Sequence, residues 1–341
     1  MSLRIGVVGT GRMGQWHARV IAETLPGAQL AGIADVDRER AEHMARALGV
    51  ERWHQRHQDL LARADIDAVV IATPSSTHAD IVCDAAQAGK PIFCEKPLSL
   101  TIAETDRAIA AVVAAGVPLQ IGFHYHFRPA YAAARASIQA GEIGAPLLYK
   151  ALQRDESIPP PSFCDVAVSG GILVDMGIHE FDLARWLFDD EIAEVYAVAS
   201  PPCHPGIVEV GDVDRALVSL RMRRGAIGNI EVARNTRYPD ETRHDILGSD
   251  GTILLGNPPQ PNLFLATSGQ RHGMLAPELS MAVSDGYRNE LASFVEHVRD
   301  GRMPVVDGYT SRAALQAALA ARESLRIRGP VQIGGDKSRD L

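Results

Sequence analysis

The segment Gly9-Thr10-Gly11-Arg12-Met13-Gly14 lies between an apolar run, Arg4–Val8, and an amphipathic stretch, Arg12–Leu25. Three glycines so spaced between a strand and a helix restrict the fold more than any other feature of the chain. Gly9 permits the tight turn, Gly11 lets the backbone approach a pyrophosphate, and Gly14 lets helix and strand pack closely. Arg12 and Met13 open the helix, whose N-terminal N–H groups and partial positive charge suit phosphates. The competing reading is a plain strand–turn–helix joint.

The alternation continues. Ala28–Ala34, Asp67–Thr73, Pro91–Cys94 and Pro118–Phe123 read as strands buried on both faces, and Arg38–Leu48, Thr77–Ala88 and Ile102–Ala115 as helices. Thr101 and Glu104 form a capping box at the start of the last helix. This order predicts a doubly wound parallel α/β sheet, a Rossmann domain over residues 1–122. Asp35 ends the second strand at the distance where a dinucleotide fold carries its acid. A carboxylate there accepts from ribose hydroxyls and repels a 2′-phosphate, which favours NAD over NADP, while Arg38 and Arg40 soften the preference. Asp35 also suits a helix N-cap, and it can serve both roles.

Thr73, Pro74 and Ser75 fall at a strand's carboxyl end, where open α/β sheets bind ligands. His78 reads as a surface helix residue near the cofactor. Glu95, Lys96 and Pro97 end the next strand. Lys96 at that edge can bond both cofactor and substrate, and Pro97, by a cis bond or by restricting its neighbour, would fix where the lysine points. A Lys/Glu pair after a strand is also a common solvated rim.

Beyond Ser169-Gly170-Gly171, Asp175 and His179 are four residues apart and read as one helix face. Such a pair is a metal half-site, a structural pair or an acid/base device. A third and fourth ligand are not evident, so no metal is expected. Asp182 is placed to hold the second ring nitrogen of His179, with Arg185 competing for it.

At 341 residues the chain has room for two domains. A net charge of −8 without a Lys/Arg-rich block argues against nucleic acid and anionic membrane as partners. Cys83, Cys94, Cys164 and Cys203 make no C-x-x-C pair, which argues against a thiolate zinc site or a disulfide framework. Reduced thiols, no basic leader ahead of the first apolar run and no membrane-length apolar stretch lead to a cytoplasmic expectation. In the second half, Leu147–Gln153, Glu194–Ser200, Arg215–Met222, Ala226–Arg234 and Arg243–Ser249 read as strands, several of them alternating. Ser249–Gly251 is a hairpin turn, and helices are expected near Gly286–Arg299 and Tyr309–Ile327.

The motifs GTGRMG, ATPSSTHADI…AAQAGKPIFCEKPLSLT and SGGILVDMGIHEFDLARWL resemble, in order and spacing, those of the glucose–fructose oxidoreductase/inositol dehydrogenase/rhizopine-catabolism (Gfo/Idh/MocA) family. RDESIPPPS, NTRYPDETRHDILGSDGTI and DGYRNELASFVEHVRDG are most similar to its bacterial inositol 2-dehydrogenases. The resemblance implies an N-terminal Rossmann domain and, over 123–341, a C-terminal α/β domain with an open, mostly antiparallel sheet for substrate binding and oligomerisation. It implies NAD held by Gly9, Gly11, Arg12, Met13, Gly14, Asp35, Thr73, Pro74, Ser75, His78, Glu95 and Lys96.

It also implies a catalytic group of Lys96, Asp175 and His179. His179 is suited to take the proton as general base, because imidazole titrates near working pH. Lys96 stabilises the alkoxide, and Asp175 positions substrate and lysine. Substrate contacts fall to Lys96, His124, Tyr125, Asp155, Asp175, His179 and Tyr238, with Tyr287 a further candidate. Inositol dehydrogenases carry basic residues just after this Gly-Phe; here His124, Tyr125 and His126 follow, with Arg128 later. That departure keeps a dehydrogenase or reductase of a monosaccharide, glycoside or anhydrosugar in play beside an inositol dehydrogenase. A non-catalytic NAD-binding sensor would keep the glycines and Asp35 and could lose Lys96 or His179. A homotetramer is expected.

Overall fold

The computed structural model describes residues 2–236, 239–256, 263–267, 270–275 and 283–334. The chain divides into two units, residues 1–124 with 286–312, and residues 125–285 with 313–341. In the first unit, strands β1 (Leu3–Val8), β2 (Ala28–Ala34), β3 (Trp53–His54), β4 (Ala68–Ile71), β5 (Ile92–Glu95) and β6 (Leu119–Gly122) form one sheet. Its order is β3-β2-β1-β4-β5-β6, and every pairing is parallel. The order reverses between β1 and β4, the switch point where doubly wound sheets open for a ligand. Ile5, Val7, Val69, Val70 and Ile71 are fully buried, as expected where helices cover both faces of a parallel sheet. The two-residue β3 is too short to show any periodicity in the sequence.

A late segment completes this unit. Leu291, Phe294 and Val295 lie on one face of the Val283–Asp300 helix and join the core cluster of Ile5, Val7 and Phe93. Phe294 meets Phe93 edge-on with ring centroids 6.0 Å apart.

Among the described residues the second unit has nine strands: β7 (Pro146–Arg154), β8 (Ile192–Ala199), β9 (Arg215–Met222), β10 (Ile227–Ala233), β11 (Glu241–Gly248), β12 (Gly251–Gly256), β13 (Leu263–Thr267), β14 (Gln270–Leu275) and β15 (Val331–Gln332). Their order is β14-β13-β12-β11-β7-β10-β9-β8-β15. All pairings are antiparallel except β7 with β10. Along β9, Ala216, Val218, Leu220 and Met222 are buried and Leu217, Ser219 and Arg221 are exposed, so one face is covered and the other open. The Gly177–Phe188 helix packs on β7 and β10. Among the described residues no helix is long and apolar enough to cross a membrane.

Candidate active site

The glycine loop behaves as its residue types require. Gly9 has φ +93°, and a Cβ on it would lie 2.6 Å from the Ala72 carbonyl oxygen. A Cβ on Gly14 would lie 1.9 Å from the Gly9 carbonyl oxygen. At Gly11 a Cβ would meet no protein atom within 4 Å, so the space kept clear there is not used for packing. Gly11 is the N-cap of the Arg12–Glu23 helix and brings no side chain to its N–H groups. An open cradle at an uncapped helix N-terminus fits a dinucleotide pyrophosphate. Arg12 is exposed and Met13 half-buried beside it.

Asp35 is tied to this loop. Its Oδ2 accepts from the Thr10 N–H at 2.7 Å and the Thr10 hydroxyl at 2.6 Å, and its Oδ1 accepts from the Asp37 N–H at 2.8 Å. The helix-cap role falls instead to Asp37, which accepts from the Arg40 N–H. A carboxylate offers about four acceptor positions, so three donors leave room for a ribose hydroxyl.

Thr73 and Ser75 are half-buried and Pro74 is exposed, just beyond β4. His78 is not a surface residue: it is 1 % exposed, with Nδ1 2.7 Å from the Pro97 carbonyl oxygen and Nε2 2.8 Å from that of Thr73. Burial pushes its pKa down, against the pull of both carbonyls. The ring thus ties the end of β4 to the loop after Lys96. Periodicity alone missed this, because a helix's first turn can face a neighbouring loop.

Lys96 is half-buried at the end of β5, and the Lys96–Pro97 peptide bond is cis. Glu95 turns inward and bonds His17 Nε2 at 2.7 Å. Burial acts to raise the Glu95 carboxyl, but the bond to His17 and its charge more than offset this and hold it below its ordinary value. Glu290 joins the pair, the three ligand atoms lying within 4.8 Å of one another. Among the described residues this is the grouping with metal-ligand spacing, but His17 and Glu95 already satisfy each other directly. Tyr287 packs edge-on against Trp16, His17 and His124, with ring centroids 5.2, 6.3 and 4.6 Å away.

In the second unit Asp175 and His179 do not share one helix. Asp175 ends the one-turn helix Ile172–Asp175, and His179 stands in the first turn of Gly177–Phe188. The Asp175 carboxylate is bound by Arg234, whose Nη2 donates to Oδ2 at 2.6 Å. His179 is 7 % exposed and lies edge-on to Tyr125, centroids 5.6 Å apart. Asp182 turns elsewhere: its Oδ2 bonds His126 Nε2 at 2.7 Å, and its Oδ1 is 4.0 Å from Arg185. Arg185 itself forks onto Glu191 at 2.7 Å from both Nε and Nη2.

The remaining candidates divide. Tyr125 is 2 % exposed; its hydroxyl donates to Glu180 at 3.2 Å, and Arg128 lies over its ring. His124 is 5 % exposed. Asp155 is half-buried just after β7, where its carbonyl accepts from Thr236 at 3.2 Å. Tyr238 lies outside the described residues. His17, Glu180, Arg234 and His244, each 0 % exposed, carry no local motif that marks them in the sequence. The signal short of a motif is a charged residue closing an apolar strand, as Arg234 closes β10.

Residues 3–123 match the Gfo/Idh/MocA oxidoreductase family's NAD-binding Rossmann fold, and residues 131–254 match a Gfo/Idh/MocA C-terminal domain. The chain is 38% identical over 331 residues to a scyllo-inositol 2-dehydrogenase (NAD+) of Bacillus subtilis, covering 97% of this chain and 96% of that one. It is 35% identical over 332 residues to a myo-inositol 2-dehydrogenase of Thermotoga maritima, covering 97% and 98%. The structure of a levoglucosan dehydrogenase in complex with NADH superposes with a TM-score of 0.89 at 25% identity, covering 98% and 100%. With both of its parts matched by family models, the chain belongs to the Gfo/Idh/MocA family of NAD-binding oxidoreductases.

Proposed function

We propose that this protein oxidises a ring CH–OH group of an inositol at the expense of NAD, in the manner of an inositol 2-dehydrogenase. The observation that carries the reading is identity of 35–38% over nearly the whole chain to inositol 2-dehydrogenases, with Lys96, Asp175 and His179 all present. Bound NAD supplies the hydride acceptor. Gly9 and Gly14 shape the turn and its close packing, Gly11 leaves room for its pyrophosphate, and Asp35 accepts from its ribose. His179 takes the proton from the substrate hydroxyl as general base. Lys96 donates to the same oxygen and stabilises the negative charge that develops on it. Asp175, held as an acceptor, orients the substrate. Asp155 and Tyr238 are further candidate substrate contacts. Four free cysteines support a reducing, cytoplasmic setting.

A second reading, oxidation of an anhydrosugar or another sugar ring, is supported by the levoglucosan dehydrogenase likeness and by the His124-Tyr125-His126 segment. Absorbance of reduced nicotinamide decides between them, with NAD or NADP and a panel of myo-, scyllo- and D-chiro-inositol, glucose, xylose and levoglucosan. NAD reduction with one inositol far above the sugars is expected. Turnover with a sugar alone would replace the substrate assignment, and NAD binding without turnover would favour the sensor.

The same reading includes a homotetramer. Tyr196, Val198, Leu217 and Ile227 are 43–48 % exposed on β8, β9 and β10. Val198 pairs with Leu217, and Ile227 lies two residues along the same face from Asn229, opposite Ser219. An open sheet face that carries these apolar side chains among polar ones suits a second copy of the chain.

A further inference from the structure

Asp175 stands at the end of a single helical turn, and a single turn does not hold itself in place. The turn begins at Gly170 and Gly171, both left-handed at φ +83° and +79°. A Cβ on Gly171 would lie 2.7 Å from Asp212 Oδ1. The close approach has a purpose: Asp212 Oδ2 accepts the Ile172 N–H at 2.9 Å, capping the start of the turn. Arg234 joins its two ends. Its Nη2 donates to Asp175 at 2.6 Å, its Nη1 is 3.6 Å from Asp212 Oδ2, and Nη1 also lies 3.5 Å from Cys164 Sγ. The Arg234 side chain is fully buried, whereas Asp175 keeps 18 % of its side chain exposed. One carboxylate therefore anchors the clamp from inside, and the other is partly exposed.

We propose that Arg234, braced by Asp212, is a positioning residue that fixes the direction of the Asp175 carboxylate as an acceptor for a substrate hydroxyl. This deepens the dehydrogenase reading and rests on it for the identity of the substrate. A guanidinium is always charged, and its planar fork sets direction as well as charge. An acceptor held this way binds a ring position only when that position carries a donor hydroxyl, and it penalises a deoxy or O-methyl analogue. Asp212 takes part as an anchor: burial raises its pKa, and the Arg234 charge and two backbone N–H groups oppose that rise.

The test is a kinetic cycle on the full-length protein with NAD and its best inositol: wild type, Arg234→Met, Asp175→Asn and the double variant. Arg234→Met is expected to lower kcat/KM about 100-fold in the wild-type background but less than about threefold in the Asp175→Asn background. Arg234→Lys, which keeps the charge and loses the fork, should recover part of the loss, and NADH affinity should not change. Equal losses in both backgrounds would overturn the proposal. A wild type inert toward every inositol would instead remove the dehydrogenase reading; the Arg234–Asp175 assignment is then judged from urea midpoints of the same four proteins, where additive effects would overturn it.

Discussion

Glu180 and His244 meet at 2.7 Å in the interior of the second unit, and neither side chain has any exposure. The Tyr149 hydroxyl donates to the same carboxylate at 2.9 Å, the Tyr125 hydroxyl donates at 3.2 Å, and Tyr131 bonds the other nitrogen of His244 at 3.0 Å. Burial pushes the Tyr125 and Tyr149 phenols well up, so both remain donors at working pH. Glu180 directly follows His179, and Tyr125 touches both residues. The network thus sets the floor beneath the proposed base. Glu180→Leu should destabilise the fold by about 3–5 kcal/mol, because it strands the partners of a buried charge. Urea denaturation reads this, and an unchanged midpoint would show the network to be dispensable.

Gly11 and Gly14 should fail in different ways. Gly14→Ala forces a Cβ onto a backbone oxygen and should cost about 1–3 kcal/mol of stability. Gly11→Ala meets no protein atom, so the urea midpoint should hold while NADH affinity drops about tenfold or more. Fluorescence titration with NADH measures the second effect; unaltered affinity would mean that the cradle at Gly11 is not the pyrophosphate site.

Asp35 braces Thr10 and, on the proposed reading, also repels a 2′-phosphate. Asp35→Ser should raise the ratio of NADP to NAD use on the order of tenfold, matching about 1–2 kcal/mol of lost repulsion at a partly exposed site. It should also raise the KM for NAD, since the Thr10 bonds are lost with the carboxylate. Initial rates with both cofactors check this, and an unmoved ratio counts against Asp35 as the selector.

Glu95 makes stability depend on acidity. Its folded pKa lies below the unfolded value, so its contribution is complete above the unfolded pKa of 4.5 and is lost as pH falls through the folded value. The stability gap between wild type and Glu95→Gln should therefore be widest near neutrality and close as pH drops below 4.5. Urea midpoints at several pH values measure it; a gap that widens on acidification has the wrong sign for this assignment.

Lys96→Ala and His179→Ala should each cut kcat by about 100-fold or more, and His179→Ala should leave NADH binding within about twofold. Stopped assays alongside NADH titration separate the two effects. Retained turnover in either variant would remove that residue from the chemistry.

Local pattern was enough for much of this protein. Runs such as Val69-Val70-Ile71 announce strands buried on both faces, and a glycine turn between strand and helix announces the cradle. These features depend on neighbours a few residues away, so they are legible in order along the chain. The alternation in Arg215–Met222 likewise foretold a sheet with one covered face. Tertiary structure decided the rest, because its partners are distant in sequence. His17 meets Glu95, Tyr125 meets Glu180, and His126 rather than His179 takes Asp182. Spacing alone pairs Asp175 with His179, yet the helix breaks between them and Arg234, 59 residues on, claims the aspartate. A buried charge seeks whichever opposite group the fold brings near, because desolvation makes an unpaired one too costly. The one-dimensional pattern tells that such a group must be answered, and only the folded chain determines by what.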